Sequence, residues 1–294
     1  MSAVFRKEMR ALFHGLTGWG SLAVLLAAAG VSAFFVNVRG LSPLFADNIL
    51  YLALGMALSC GLLCCDAFPG ERRAHTDRAL YALPLRSGSI FLGKLLARLV
   101  VVVLGCALLC LYPVALSLAA PSASMGEGFG AVLAVCAMGM LFTAAALCCS
   151  ALSRSAIVAF LSYAAVVALM YFLPVLAPRV EALTATSPLT LVLMPVAAGL
   201  LAWVIIDDVL AGFIAAAIVE APVLLNHLRG GDSATFRALG KAMRAVGVFE
   251  PLSLFSNGLL DVSALVRWLT FALPFIAAGV IAVAARREAK RRAL

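Results

Sequence analysis

The sequence predicts an all-α integral membrane protein, a polytopic helical bundle, and three observations predict it. Hydrophobic residues make up 64% of the 294 residues and charged ones only 12%, against roughly 45–50% and 25% in soluble domains. The mean hydropathy is +1.09. The apolar residues also gather into runs of the roughly 20 residues that a helix needs to cross hydrocarbon. Eight spans are expected, at 17–37, 47–67, 89–112, 129–151, 155–176, 188–206, 209–226 and 264–285.

Taken in order, residues 1–16 put Phe5, Met9, Leu12, Phe13 and Leu16 on one helical face and Arg6, Lys7 and Arg10 on the other. A cationic amphipathic helix of this kind is expected to lie in the membrane interface beside anionic lipid; the same residues also read as a basic topogenic anchor. The run that follows is too long for a signal-peptide core and lacks a small-residue cleavage site, so it is expected to stay as the first span.

The loop 66–89 looks structured. Pro69 and Gly70 are expected to end the second span, Thr76 to cap a short helix from Asp77 to Leu83, and Pro84 to stop it. Leu80 and Leu83 give that helix an apolar edge beside Asp77 and Arg78, which either offers a partner a grip or merely links two spans.

Orientation follows from the basic residues, because positively charged loops stay inside. With both termini inside, the inner face collects Arg6, Lys7, Arg10, Arg72, Arg73, Arg78, Arg86, Lys94, Arg98, Arg154 and the cluster Arg286, Arg287, Lys290, Arg291 and Arg292. That is 15 of the 22 Lys and Arg residues, and the net charge of +8 falls on the inner side. The stretch 188–226 reads as a hairpin turning at Asp207 and Asp208, since one Asp at a helix centre costs about 2.5–3.5 kcal/mol and a single span would put the final Arg cluster outside. Outside, the loop 227–262 holds a second amphipathic segment, 233–246, with Phe236, Leu239, Met243 and Val246 set against Arg237, Lys241 and Arg244.

Catalytic signatures fail. No H-E-x-x-H or G-x-S-x-G pattern occurs, Asp207 and Asp208 lack the third carboxylate of an aspartate-rich metal motif, and the G-x-x-x-x-G-K run from Gly88 to Lys94 ends in Leu95 instead of Ser or Thr. The eight cysteines all fall inside expected spans, where they act as small apolar fillers. Pro113, Pro174, Pro195 and Pro274 allow kinks.

One set of patches fits. The run Phe68, Pro69, Gly70, Glu71, Arg72, Arg73, Ala74, His75, Thr76, followed by Leu83-Pro84-Leu85 and then Gly93-Lys94, resembles in order and spacing the cytoplasmic-loop signature of type-2 ABC permeases. Phe5, Arg6, Lys7, Glu8, Met9 and Arg10 look like the N-terminal elbow helix of the gliding-motility-like branch; the stretch 249–261, with Phe255, Gly258 and Asp261, looks like its segment before the last span; 150–159 is similar to its turn between spans four and five. The family usually has Gly at the place of His75, a change expected to alter the loop's bend, and many members have six spans, the hairpin 188–226 being extra.

The resemblance implies a multi-pass subunit of a bacterial cytoplasmic membrane that pairs with a second permease subunit and docks its loop on a separate ATP-binding subunit. Glu71, Arg72, Arg73, Thr76, Asp77, Arg78, Leu80, Leu83 and Pro84 become its coupling candidates, with steric and electrostatic roles. This chain is then not an enzyme and binds no cofactor, ATP and Mg residing on the partner; membrane lipid is an expected partner and nucleic acid is not. Two other classes stay open: an ion-coupled secondary transporter, which wants buried ionisable groups or an inverted repeat, and a membrane-embedded enzyme, which wants a carboxylate- or His-rich cluster at mid-depth.

Overall fold

The computed structural model describes residues 2–42, 44–76, 86–119, 125–182, 240–256 and 258–292, with scattered positions between 195 and 221. The chain divides into two compact units, Met1–Tyr163 with Pro251–Leu294, and Ala164–Glu250. Among the described residues every regular element is helical: α1 (Ser2–His14), α2 (Leu16–Ser32), α3 (Ile49–Cys65), α4 (Pro69–Arg73), α5 (Ser87–Leu109), α6 (Leu111–Ala119), α7 (Met125–Leu152), α8 (Ala156–Ala182), α9 (Leu252–Ser256) and α10 (Val262–Arg292). Among the described residues six stretches are long and apolar enough to cross a membrane: Leu16–Arg39, Ile49–Arg73, Ser87–Leu118, Met125–Leu152, Ala156–Pro178 and Val262–Glu288. They coincide with six of the eight expected runs. The other two, 188–206 and 209–226, fall almost wholly outside the described residues.

Helix α7 is the spine of the first unit. Of its most apolar stretch 83% is buried, against 28% for the first and last spans, and α10, α3 and α5 all pack on it. Its composition explains this: Ala144, Ala145, Ala146 and Ala151 are small enough for backbones to approach, which is how helices associate where lipid and side chain are equally apolar. A methyl on Gly139 of α7 would fall 2.8 Å from Val102 of α5 and 3.1 Å from Met56 of α3. Thiols join the same contact: Cys60 of α3 accepts from the Thr143 hydroxyl at 3.5 Å and donates to the Gly139 carbonyl at 3.6 Å. All eight cysteines are free.

Proline and glycine place the joints. Helix α1 stops at Gly15, and the bend into α2 is held by the Trp19 indole, which donates to the Phe13 carbonyl at 2.9 Å and meets the Phe13 ring edge-on at 5.8 Å. Pro69 does not simply end the second span; it opens α4 at a position whose N–H a helix never uses. Pro174 and Pro178 lie inside α8 and Pro274 inside α10.

At the end of the unit away from α1, the first span continues from α2 as a π-helical segment, Ala33–Arg39. Asn37 in that segment donates to the carbonyls of Ser42 at 2.7 Å and Leu44 at 3.3 Å, and its own oxygen accepts from Asn48 at 2.6 Å and from the Tyr112 hydroxyl. One amide thus gathers the first span, the loop after it, the start of α3 and the start of α6.

In the second unit, residues 240–245 are helical, with Met243 buried and Lys241 and Arg244 exposed as the amphipathic reading requires. Residues 233–239 of that reading lie outside the described residues. Within this unit the Tyr171 ring meets Phe249 edge-on at 5.3 Å.

Candidate functional site: a buried ion-pair hub

Helix α1 packs on the bundle through a face offset from the apolar one that the sequence assigns to the membrane interface. Its buried stripe is Val4, Glu8 and Leu12, while Leu16 is 88% exposed and Phe5, Met9 and Phe13 are half-buried. A carboxylate therefore sits in the middle of the docked face, and what it meets explains why. Two turns into α5, Lys94 and Arg98 are 1% and 3% exposed, beside Glu8 at 6%. Lys94 Nζ lies 2.8 Å from Glu8 Oε1 and Arg98 Nη1 lies 3.1 Å from Glu8 Oε2.

The loop joins the same hub. Glu71 of α4 places Oε2 at 3.0 Å from Lys94 and Oε1 at 2.6 Å from Lys7 of α1. Lys94 also donates to the Ala67 carbonyl at 3.0 Å and stands over the Phe68 ring at 5.1 Å. Lys94 thus donates two hydrogen bonds, to Glu8 and to Ala67, and is paired by two carboxylates, which is what a buried lysine requires. Burial alone would raise the Glu8 carboxyl, but the charges of Lys94 and Arg98 and their hydrogen bonds outweigh it and hold Glu8 below its ordinary value. Arg98 also donates to the Lys94 carbonyl at 3.0 Å, and its Nε is buried with no hydrogen-bond partner among the described residues. A cavity of about 330 Å3 opens beside the hub, bordered by Lys7, Glu8, Thr17, Glu71, Thr76, Lys94 and Arg98.

The next residue points the other way. Arg72 donates to the carbonyls of Ser153 and of Ala151, the latter at 2.9 Å, and Arg286 of α10 donates to that of Leu152. Two cations so cap the last turn of α7, where free carbonyls and the negative end of the helix dipole lie. Ser150 completes the joint, accepting from the Phe68 N–H and donating to the Cys65 carbonyl, both at 3.3 Å.

Helix α4 ends in a Schellman motif. The N–H of Thr76 donates to Glu71 O at 3.0 Å and that of His75 to Arg72 O at 3.2 Å. This puts His75 in the left-handed region at φ 56, where glycine is favoured. His75 takes this conformation without being glycine. The Thr76 hydroxyl donates to Glu71 O at 3.3 Å.

Of the coupling candidates, Glu71 and Arg72 enter the hub and the α7 joint. Arg73 pairs with Asp66, and Asp77, Arg78, Leu80, Leu83 and Pro84 lie outside the described residues. Of the elbow candidates, Lys7 and Glu8 enter the hub, Arg6 and Arg10 are exposed, and Phe5 is half-buried. Phe255, Gly258 and Asp261 are at the other end. Phe255 stacks on Trp268 at 5.7 Å; Gly258, at φ 74, leaves room for the Glu127 side chain; and Asp261 caps α10, accepting from the Ser263 N–H and hydroxyl at 2.8 Å each. Those two bonds lower the Asp261 carboxyl below its usual value.

From the sequence Lys94 and Arg98 are inner-face charges at the end of a span; in the structure both are buried and share Glu8. The signal was their spacing: i and i+4 on a helix share one face. Asn37, Asn48 and Tyr112 were not singled out by the sequence. No protein-family model matches the chain, and no curated protein matches it.

Proposed function

We propose that the chain is the membrane-spanning permease subunit of an ATP-driven ABC-type exporter, with both termini and the loop 66–89 on the cytoplasmic side. The observation that carries this reading is the fork at Glu71 and Arg72. Adjacent residues of one short loop helix are tied to the N-terminal helix and α5 on one side and to the end of the central span on the other. A push on that loop reaches three helices at once. The patches that resemble the type-2 permease signature, 5–10, 68–76, Lys94 and 150–159, supply residues of that joint. The same reading keeps eight spans, with the stretch 188–226 as a hairpin. A second permease subunit and an ATP-binding subunit are the partners.

Detergent co-purification of the tagged chain from its host, with mass spectrometry and an ATPase assay, tests the reading. A Walker-motif ATPase in the complex is the expected result; a solitary chain without ATPase, in a detergent that preserves known ABC complexes, overturns it. In the complex, Glu71→Ala with Leu80→Asp is expected to uncouple ATP hydrolysis from transport while the chain still inserts.

The hub favours one other class, since an ion-coupled secondary transporter needs buried ionisable groups. Against it stands the pairing: Glu8 is shared by two cations and held ionised, so it takes up no proton at neutral pH.

A further inference from the structure

The five charges of the hub are not equivalent. Glu8 lies on a helix of 13 residues whose stripe Val4, Glu8, Leu12 is buried, and it alone contacts both Lys94 and Arg98. Glu71 lies on a helix of five residues, borders the open cavity, and shares its second oxygen with Lys7, whose side chain is 50% exposed. Losing Glu8 would strand two buried cations together. Losing Glu71 leaves Lys94 with Glu8 and the Ala67 carbonyl, and the cavity gives water access to the third proton and to the freed carboxylate.

We propose that Glu71 is a releasable clasp on a permanent Glu8–Lys94–Arg98 anchor, so that α4 and the end of α7 can move together while α1 stays fixed on α5. Phe68 provides the pivot. Its ring is 2% exposed and stacks on Phe91 at 6.3 Å, and its N–H is held by Ser150, whereas beyond it Arg73, Ala74, His75 and Thr76 are exposed. Arg72 carries the motion, because its long side chain stays bonded to the last carbonyls of α7 as α4 swings. While Glu71 is docked, it brakes that motion.

This inference rests on reading the loop as the element a partner pushes, yet its test needs no partner. Amide hydrogen exchange on the full chain in detergent compares the native protein with Glu71→Gln, which keeps the shape and removes the charge. The expected result is exchange faster by roughly tenfold or more in 69–76 and 151–155, with residues 2–14 unchanged. Adding Arg72→Gln to that variant is expected to leave 69–76 fast and to abolish any further dependence of 151–155 on Glu71. The proposal is overturned if Glu71→Gln deprotects 2–14 as much as the loop, which would make the hub one rigid piece. It is equally overturned if the loop changes by less than about twofold. Either failure leaves the co-purification result, and with it the permease reading, untouched.

Discussion

Lys94 shows what one side chain can hold. Lys94 donates to Glu8 at 2.8 Å and to Ala67 at 3.0 Å with Glu71 at 3.0 Å; Lys94→Met removes the one group among the described residues that Glu8 and Glu71 share, and breaking such a buried pair costs about 3–5 kcal/mol, which thermal unfolding in detergent measures. Glu8 sets a pH dependence of definite sign. Its folded carboxyl lies below the ordinary 4.5, so its contribution is complete above 4.5 and is lost as pH falls through the lower folded value. Stability near neutral pH is then flat with respect to this group, and an acid loss that Glu8→Gln abolishes is expected in pH-dependent melts. Charge and burial decide this residue, and only charge was visible in the sequence. Glu8 read as a member of a basic, amphipathic stretch because its partners lie 86 and 90 residues away, beyond the reach of any local pattern.

At the scale of the element, α4 is five residues long and could not persist on helical propensity alone. Its ends explain it: Pro69 at the start, the Schellman bonds at the finish, and Arg72 reaching α7. His75→Val, which puts a β-branched residue at φ 56, is expected to destabilise the loop by about 1–2 kcal/mol, and His75→Gly to be tolerated, as exchange of the Thr76 amide will report. Arg72→Ala is expected to fray the last turn of α7 and cost about 1.5–3 kcal/mol, read by protection of residues 151–155. The helix Asp77 to Leu83 expected after this turn lies outside the described residues. The six described spans were legible because hydropathy alone places a membrane helix; the π segment was not, because a widened turn leaves no compositional trace and is fixed by Asn37 reaching Ser42, Leu44, Asn48 and Tyr112.

For the whole molecule, the two ends of the first unit are built differently: ion pairs and arginine caps at the α1 end, a neutral amide cluster at the other. Asn37→Leu strips the far end of four hydrogen bonds and is expected to cost about 2–4 kcal/mol, lowering the melting temperature while exchange in 2–14 and 69–76 stays native. A reporter fused after Asp208 is expected to read the same side as one at the N-terminus; the opposite side would remove the hairpin. The capping of α7 has a consequence for biosynthesis. Arg72 emerges before α7, but Arg286 lies 134 residues after the α7 carbonyl it caps, on the helix that packs along α7, so the spine stays partly open to lipid until α10 is made. Insertion of α10 therefore closes the first unit, and a chain arrested before it carries an uncovered helix, which a membrane quality-control protease can recognise.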